Sequence, residues 1–276
     1  MTPVTLVNGE LTDQISVYDR GLAYGDGVFE TILSVDGQLI LWDQHLKRLT
    51  RSLSQLKISP FDVEALLPLI QPHLKSTGQQ IIKIIVTRGI GQRGYAPPDT
   101  IQANSIIFIS DKMETTDDWS TKGIKAQVCE TRLAYQPKLA GLKHLNRLEQ
   151  ILACQELAGT DCQEGIMLGY EGEAIEATMH NLFLVKNGEL FTPDLSECGV
   201  AGIMRTFITE YAQQQGIPVS VSRVEVTQLM EADEIFLTNS INGIWPICEL
   251  GNTRLEIGEV TCLLQDKVVG IVNPHD

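Results

Sequence analysis

Asn181-Leu-Phe-Leu-Val-Lys-Asn-Gly-Glu-Leu-Phe-Thr192 is the clearest fold signal in the chain. Two apolar runs, Asn181 to Val185 and Glu189 to Thr192, flank Lys186-Asn187-Gly188. An Asn-Gly pair tolerates positive φ at both central positions, as a tight turn matched to the twist of its strands requires. The signature recurs upstream. Thr5-Leu6-Val7 runs into Asn8-Gly9, and Val28 to Val35 passes through Asp36-Gly37 to a partner strand at Gln38 to Trp42. Ile81 to Thr87 is a β-branched run typical of a buried strand. Ile124 to Cys129, Ile166 to Leu168, Ala174 to Thr178 (after a turn at Glu171-Gly172) and Glu234 to Thr238 add further strands.

Between these runs the period changes from two to 3.6. Leu46, Leu49, Leu53 and Leu56 predict a helix over Gln44 to Leu56, and a second fits Phe61 to Leu74. Leu145, Leu148, Ile151 and Leu152 define a helix face that begins just after Lys143. Ile203 to Gln215 is amphipathic, with Gly216 to terminate it. The pattern is that of a mixed α/β (α+β) protein, and 276 residues suit two domains better than one. The polar, weakly periodic Asp111 to Asp118 marks the join. It predicts a small N-terminal α/β domain over 1–112, a linker over 113–119 and a larger C-terminal domain over 120–276.

Charge narrows the partners. With 35 acidic against 21 basic residues the net charge is -14, which argues against a broad nucleic-acid face. An anionic ligand must then be caught by a few local cations and backbone N–H groups. No apolar run of about 18 residues spans a membrane, and Met1 to Glu10 has no signal-peptide pattern. The six cysteines form no C-x-x-C pair, so free thiols in a reducing cytoplasm and no bound metal are expected.

Four features carry possible chemistry. In Leu139-Ala-Gly-Leu-Lys-His-Leu-Asn-Arg-Leu-Glu-Gln150 a lysine follows a small, flexible pair and precedes a predicted helix, whose dipole would disfavour the ammonium form. A neutral amine is what covalent carbonyl chemistry requires. Gly199-Val-Ala-Gly-Ile-Met-Arg205 leads small residues into a helix N-terminus, where backbone N–H groups can approach a phosphate. Thr238-Asn-Ser-Ile-Asn-Gly243 offers hydroxyl and amide donors past a strand. Glu176 sits where strand alternation could turn a carboxylate inward, and a buried acid needs a partner. Taken singly, the lysine is more commonly an exposed side chain and the two small-residue segments more commonly turns, while Glu176 reads equally as a solvent-facing edge residue.

In order, these segments resemble a known family. Asp19-Arg20-Gly-Leu-Ala-Tyr-Gly-Asp-Gly-Val-Phe-Glu30, His45-Leu-Lys-Arg48, Thr87-Arg88-Gly89, Lys143, Glu176 with Asn181-Leu-Phe, Gly202-Ile-Met-Arg205 and Glu234 to Ser240 are similar to the fold-type IV pyridoxal-phosphate enzymes, the class of branched-chain and D-amino-acid aminotransferases. The resemblance covers nearly the whole chain. It implies a two-domain fold with pyridoxal 5'-phosphate between the domains, a homodimer and a small-molecule substrate.

By this resemblance Lys143 joins the cofactor through its amine and then serves as acid and base. Glu176 pairs with the pyridine nitrogen, and Arg48 takes the phosphate as a charged fork. The N–H groups of Ile203 and Met204, with Asn239 and Ser240, complete the phosphate cup. Arg93 is the candidate for a substrate carboxylate, with Tyr24, Phe29, Tyr95 and His180 as walls of the substrate pocket. D-amino-acid aminotransferases carry tyrosine at the position of Phe29 and histidine at that of Tyr95. Those departures, with the Lys143 stretch, Arg93-Gly-Tyr95 and Ala201 to Arg205, resemble a lyase branch of the class, with aminotransfer as the alternative.

Overall fold

The computed structural model describes residues 3–58, 60–100, 102–113 and 117–272, and these divide into two units. The first holds residues up to 113 together with Leu142–Asn146, and the second holds the remainder. In chain order the first unit contains β1 (Val4–Val7), β2 (Glu10–Leu11), α1 (Arg20–Tyr24), β3 (Gly27–Val35), β4 (Gln38–Leu39), α2 (Trp42–Gln55), α3 (Leu66–Ile70), β5 (Gln79–Thr87) and β6 (Asn104–Asp111). Its strands form one antiparallel sheet in the order β2-β1-β6-β5-β3-β4.

Two turns read from sequence pin that sheet. Asn8 and Gly9 have φ of 53° and 85° and pair Val7 with Glu10; Asp36 and Gly37, at 48° and 81°, pair Val35 with Gln38. Alternation along β5 and β6 buries Ile82, Ile84, Val86, Ile107 and Ile109 on one face. Leu46, Leu49 and Leu53 of α2 complete the same core.

The expected helix over Phe61 to Leu74 contracts to α3 and a 3-10 turn at Gln71–His73. Pro68 and Pro72 explain this, because proline lacks the N–H a longer helix needs and is tolerated in a first turn. The partner strand expected to reach Trp42 stops at Leu39, and α2 begins at Trp42. The reading also left out β6. Its Ile106-Ile107-Phe108-Ile109 run lies just before the segment read as linker. That linker falls partly on 114–116, outside the described residues; Trp119–Lys122 at its end is a short helix.

The second unit contains α4 (Trp119–Lys122), β7 (Ile124–Arg132), α5 (Leu148–Glu156), β8 (Glu164–Leu168), β9 (Ala174–Ala177), β10 (Asn181–Lys186), β11 (Glu189–Pro193), α6 (Ile203–Gln214), β12 (Val219–Ser222), α7 (Val226–Met230), β13 (Glu234–Asn239), β14 (Gly243–Leu250), β15 (Thr253–Arg254) and α8 (Glu259–Val272). The order β10-β13-β14-β7-β8-β9 closes on itself through Asn181↔Glu176, which makes a six-stranded barrel with β11 and β12 extending from β10. The Asn187-Gly188 turn has φ of 51° and 76° and sets the Lys186↔Glu189 register. Closure explains why β8, β9 and β10 read as continuous apolar runs: every residue of β8 and β9 is buried.

Lys143 falls in the first unit, not in the C-terminal domain where the sequence placed it. His144 bridges Val28, Phe29 N–H donates to Lys143 O (2.9 Å) and Leu145 N–H donates to Gly27 O (3.0 Å). The lysine segment is thus an extended stretch held to β3 by an isolated bridge, and α5 begins only at Leu148. A helix dipole fades within its first turn, so the dipole assigned to Lys143 from sequence does not reach it through the chain.

Asp19 ties the first unit's opening motif together. It is fully buried; Oδ1 accepts from the N–H of Gly21 (2.8 Å) and Leu22 (3.3 Å), and Oδ2 from the Thr87 hydroxyl (2.7 Å) and the Asn104 amide (2.7 Å). Asp19→Ala strands four donors and should cost about 3 kcal/mol of stability, read by urea unfolding. A loss below about 1 kcal/mol would show that the motif does not rest on this carboxylate.

Candidate active site

Among the candidate residues of the first unit, Lys143 comes first. Its Nζ lies 4.6 Å from the centre of the Phe29 ring, while Lys83 Nζ lies 5.3 Å from that centre. Phe29 and Glu30 are neighbours on β3, so alternation turns one toward the lysine and the other into the core. Glu30 is 2% exposed. Its Oε1 accepts from Arg48 Nε (2.8 Å), its Oε2 from another nitrogen of the same guanidinium, and His45 Nδ1 is 2.7 Å from Oε2. The fork of Arg48 expected to take a phosphate closes on Glu30. Burial would raise the Glu30 carboxyl, but the charge and hydrogen bonds of Arg48 and the contact with His45 outweigh it and hold its pKa at about 2. Burial holds the His45 ring below its usual pKa against the pull of Glu30, and the charges of Arg48 and Lys143 add to the depression.

Tyr24 and Tyr95 meet edge to face with centroids 5.5 Å apart, and the Tyr24 hydroxyl accepts from Gly94 N–H (3.1 Å). The 94–96 backbone is fixed by Arg20, whose guanidinium donates to the carbonyls of Gly94 (3.0 Å), Tyr95 (2.9 Å) and Ala96 (3.3 Å) while its Nε donates to Asp26 (2.8 Å). Arg93 and Tyr95 are exposed on this loop. Arg20 of the opening Asp-Arg-Gly motif therefore braces this loop.

In the second unit Glu176 is 4% exposed, and its Oε2 accepts from Val200 N–H (2.8 Å). Opposite it in the barrel, Asn181 donates from Nδ2 to Val200 O (2.8 Å). Arg147 shares this neighbourhood: burial lowers its pKa, opposed by the charges of Glu176 and Glu149. Two residues beyond Val200, Gly202 caps α6 with an extended backbone, and a Cβ there would stand 1.9 Å from Asn181 Oδ1. Ile203 and Met204 are the first residues of α6, whose opening N–H groups have no partner within the helix.

Asn239 is committed to its own turn: Oδ1 accepts from Ile241 N–H (2.9 Å) and Asn242 N–H (2.8 Å), and Nδ2 donates to Met179 O (3.3 Å). That leaves Ser240 as the half-buried hydroxyl on the turn. His180 is buried at 3% exposure with its ring 4.7 Å from that of Trp245.

Sequence reading assigned no role to Glu30, His45, Asn181, Val200 or Arg20. Glu30 was reachable, since the rule that singled out Glu176 (a carboxylate in an alternating strand needs partners) applies equally on β3. The Val200 bonds come from its backbone, which leaves no side-chain signal. Each unit carries groups of the kind pyridoxal phosphate requires: the first an ordered amine, the second a buried carboxylate suited to a ring nitrogen and a helix start with a hydroxyl-bearing turn suited to a phosphate.

The amino-transferase class IV family model matches residues 27–250. An aminodeoxychorismate lyase of Vibrio harveyi is 37% identical over 265 residues, which cover 94% of this chain and 97% of the relative. Among solved structures, the 4-amino-4-deoxychorismate lyase of Pseudomonas aeruginosa superposes with a TM-score of 0.91 at 42% identity, covering 96% of this chain and 98% of that one. A branched-chain amino acid aminotransferase of Escherichia coli superposes at 0.85 with 26% identity, covering 98% and 94%.

The Glu30 cluster sets a pH dependence with a definite sign. A carboxyl with a depressed folded pKa stabilises above its unfolded value of about 4.5, and that contribution is lost as pH falls toward about 2. The depressed His45 acts in the same direction, costing stability as pH falls below about 6.5. Glu30→Gln should lower unfolding stability at neutral pH by about 3 kcal/mol. Its deficit against the parent protein should shrink as urea unfolding is repeated down to about pH 3. A deficit constant with pH would mean that Glu30 does not act through its charge.

Proposed function

Because the chain belongs to the amino-transferase class IV family, we propose that it is a pyridoxal-phosphate-dependent lyase converting 4-amino-4-deoxychorismate to 4-aminobenzoate, a folate precursor, and pyruvate. Bound pyridoxal phosphate supplies a protonated ring that takes up the charge left on the substrate carbon. Lys143 provides the amine to which the cofactor is joined. Its free amine would take the proton from the substrate carbon that bears the amino group. Glu176 keeps the ring nitrogen protonated, its position fixed by Val200 N–H. The N–H groups of Ile203 and Met204 and Ser240 on the turn shaped by Asn239 would hold the phosphate, and Arg48, its fork engaged by Glu30, would add positive charge rather than a fork. Arg93 takes a carboxylate of the dianionic substrate, with Tyr24, Phe29 and Tyr95 around it. Pyruvate leaves from the neighbouring position, and the carbocycle becomes aromatic. That gain drives elimination without a further catalytic group.

The observation that carries the lyase over aminotransfer to D-amino acids is the pair Phe29 and Tyr95. Phe29 lays an apolar ring beside the Lys143 amine, and Tyr95 turns to Tyr24, so the hydroxyl and imidazole of a D-amino-acid carboxylate trap are absent at both positions. A homodimer in the cytoplasm accords with this reading. Leu148, Ile151 and Leu152 expose one apolar face of α5, at 72%, 51% and 51%. All six cysteines are free thiols, as in a reducing compartment. No helix among the described residues is long and apolar enough to cross a membrane.

Incubation with 4-amino-4-deoxychorismate should yield 4-aminobenzoate and pyruvate in equal amounts. Lys143→Ala should lose both this turnover and the visible absorbance of the bound cofactor. Keto-acid formation from amino acids with no 4-aminobenzoate would reassign the chain to aminotransfer, and an active Lys143→Ala would overturn the mechanism.

A further inference from the structure

One buried polar cluster in the second unit has no part in the chemistry above. Glu164, Thr178 and His180 are 1%, 5% and 3% exposed. The Thr178 hydroxyl donates to Glu164 Oε1 (2.6 Å), and His180 Nδ1 lies 3.7 Å from the same oxygen, outside hydrogen-bond distance. Glu164 Oε2 and His180 Nδ1 are both buried without a hydrogen-bond partner. The other ring nitrogen, Nε2, is 3.2 Å from Asn242 Nδ2.

The tautomer follows from the charges. A bare lone pair on Nδ1 facing the Glu164 carboxyl group would set acceptor against acceptor, so the ring proton belongs on Nδ1. Nε2 is then an acceptor, and Asn242 must present its NH2 group to it. This orientation of the Asn242 amide is thus fixed by Glu164, two groups away.

Asn242 is the last residue of the turn that carries Ser240. Its N–H donates to Asn239 Oδ1, and Asn239 Nδ2 donates to Met179 O. The turn is therefore fastened to the 178–180 corner twice, once by Asn239 to Met179 and once by Asn242 to His180. The Thr238 hydroxyl closes its base on Gly243 O (2.7 Å).

We propose that His180 is a positioning residue for phosphate binding: with its proton held on Nδ1 toward Glu164, Nε2 anchors Asn242 and so holds the Ser240 turn in its phosphate-receiving form. The inference rests on the reading that this turn contacts the cofactor phosphate. Loss of the anchor should weaken ligands that carry the phosphate and spare those that lack it.

The test compares pyridoxal 5'-phosphate with pyridoxal, titrated into the cofactor-free full chain and followed by absorbance. Asn242→Ala and His180→Leu should each weaken the phosphorylated ligand about tenfold or more, as expected for an anchoring hydrogen bond removed in a buried site, with pyridoxal changed less than about twofold. His180→Gln, whose side-chain oxygen can stand in for Nε2, should restore most of the affinity. Circular dichroism and melting temperature establish that each variant is folded; should His180→Leu not fold, the half-buried Asn242→Ala decides. Equal weakening of both ligands, or none, in a folded variant overturns the role of His180. Failure of the parent protein itself to bind pyridoxal 5'-phosphate overturns the proposed function, and this inference with it.

Discussion

Closing six strands into a ring obliges the last two to share a seam, and in this barrel the seam falls at Asn181↔Glu176. Its side chains do not face each other idly. Glu176 accepts the N–H of Val200 and Asn181 donates to its carbonyl, so the backbone of one residue is clamped by both sides of the seam. Val200 is also bracketed by Gly141, which exchanges hydrogen bonds with Gly199 and Ala201. Two residues later Gly202 opens α6. The carboxylate assigned to the ring nitrogen and the helix start assigned to the phosphate are thus held in one register, although 26 residues separate Glu176 from Gly202 in sequence. A barrel seam is a poor place for slack: slippage by one residue would turn every side chain of β10 to the opposite face.

The first unit solves a similar problem with buried charge. Asp26 is gripped by Arg20 and Arg88, and Glu30 by Arg48 and His45. Buried ion pairs of this kind add little net stability over apolar packing, but removal of one partner is costly, so they fix an arrangement once it has formed. Arg88 also donates to the carbonyls of Leu56 and Lys57, which ties the end of α2 to the Asp26 corner. The motifs that make the chain recognisable are for the most part this bracing: Asp19 and Arg20 touch backbone and neighbouring side chains.

How far the sequence could be read follows from where the information lies. The turns at Asn8, Asp36 and Asn187 were legible because positive φ at two successive positions admits few residue types. Helix α2 was legible because four leucines keep its period. The strand at Asn104–Asp111 escaped because its apolar run lies beside a polar stretch that looked like a boundary. Lys143 was singled out through the company it keeps in the chain, but its local structure was misread: Leu145 and Leu148 fall on a helical period, yet Leu145 lies in a bend hydrogen-bonded to Gly27 and only Leu148 is in a helix. His180 and Asn239 were selected as polar residues near a site, and their hydrogen bonds assign them to support it.

The chain passes from the first unit to the second, returns for Leu142–Asn146 and leaves again. No single cut therefore separates two self-sufficient halves. A fragment ending before residue 142 leaves Gly27 and Phe29 on an unpaired edge of β3, and the complementary fragment carries Lys143 without the strand that orders it. During synthesis the edge at Gly27–Phe29 stays open until about thirty further residues beyond β6 have emerged, a wait set by the 31 positions from Asp111 to Leu142. An open edge is a site of mispairing, so the segment bearing Lys143 is also what finishes the first unit. Placement of Lys143 and completion of that edge are one event in the life of the chain.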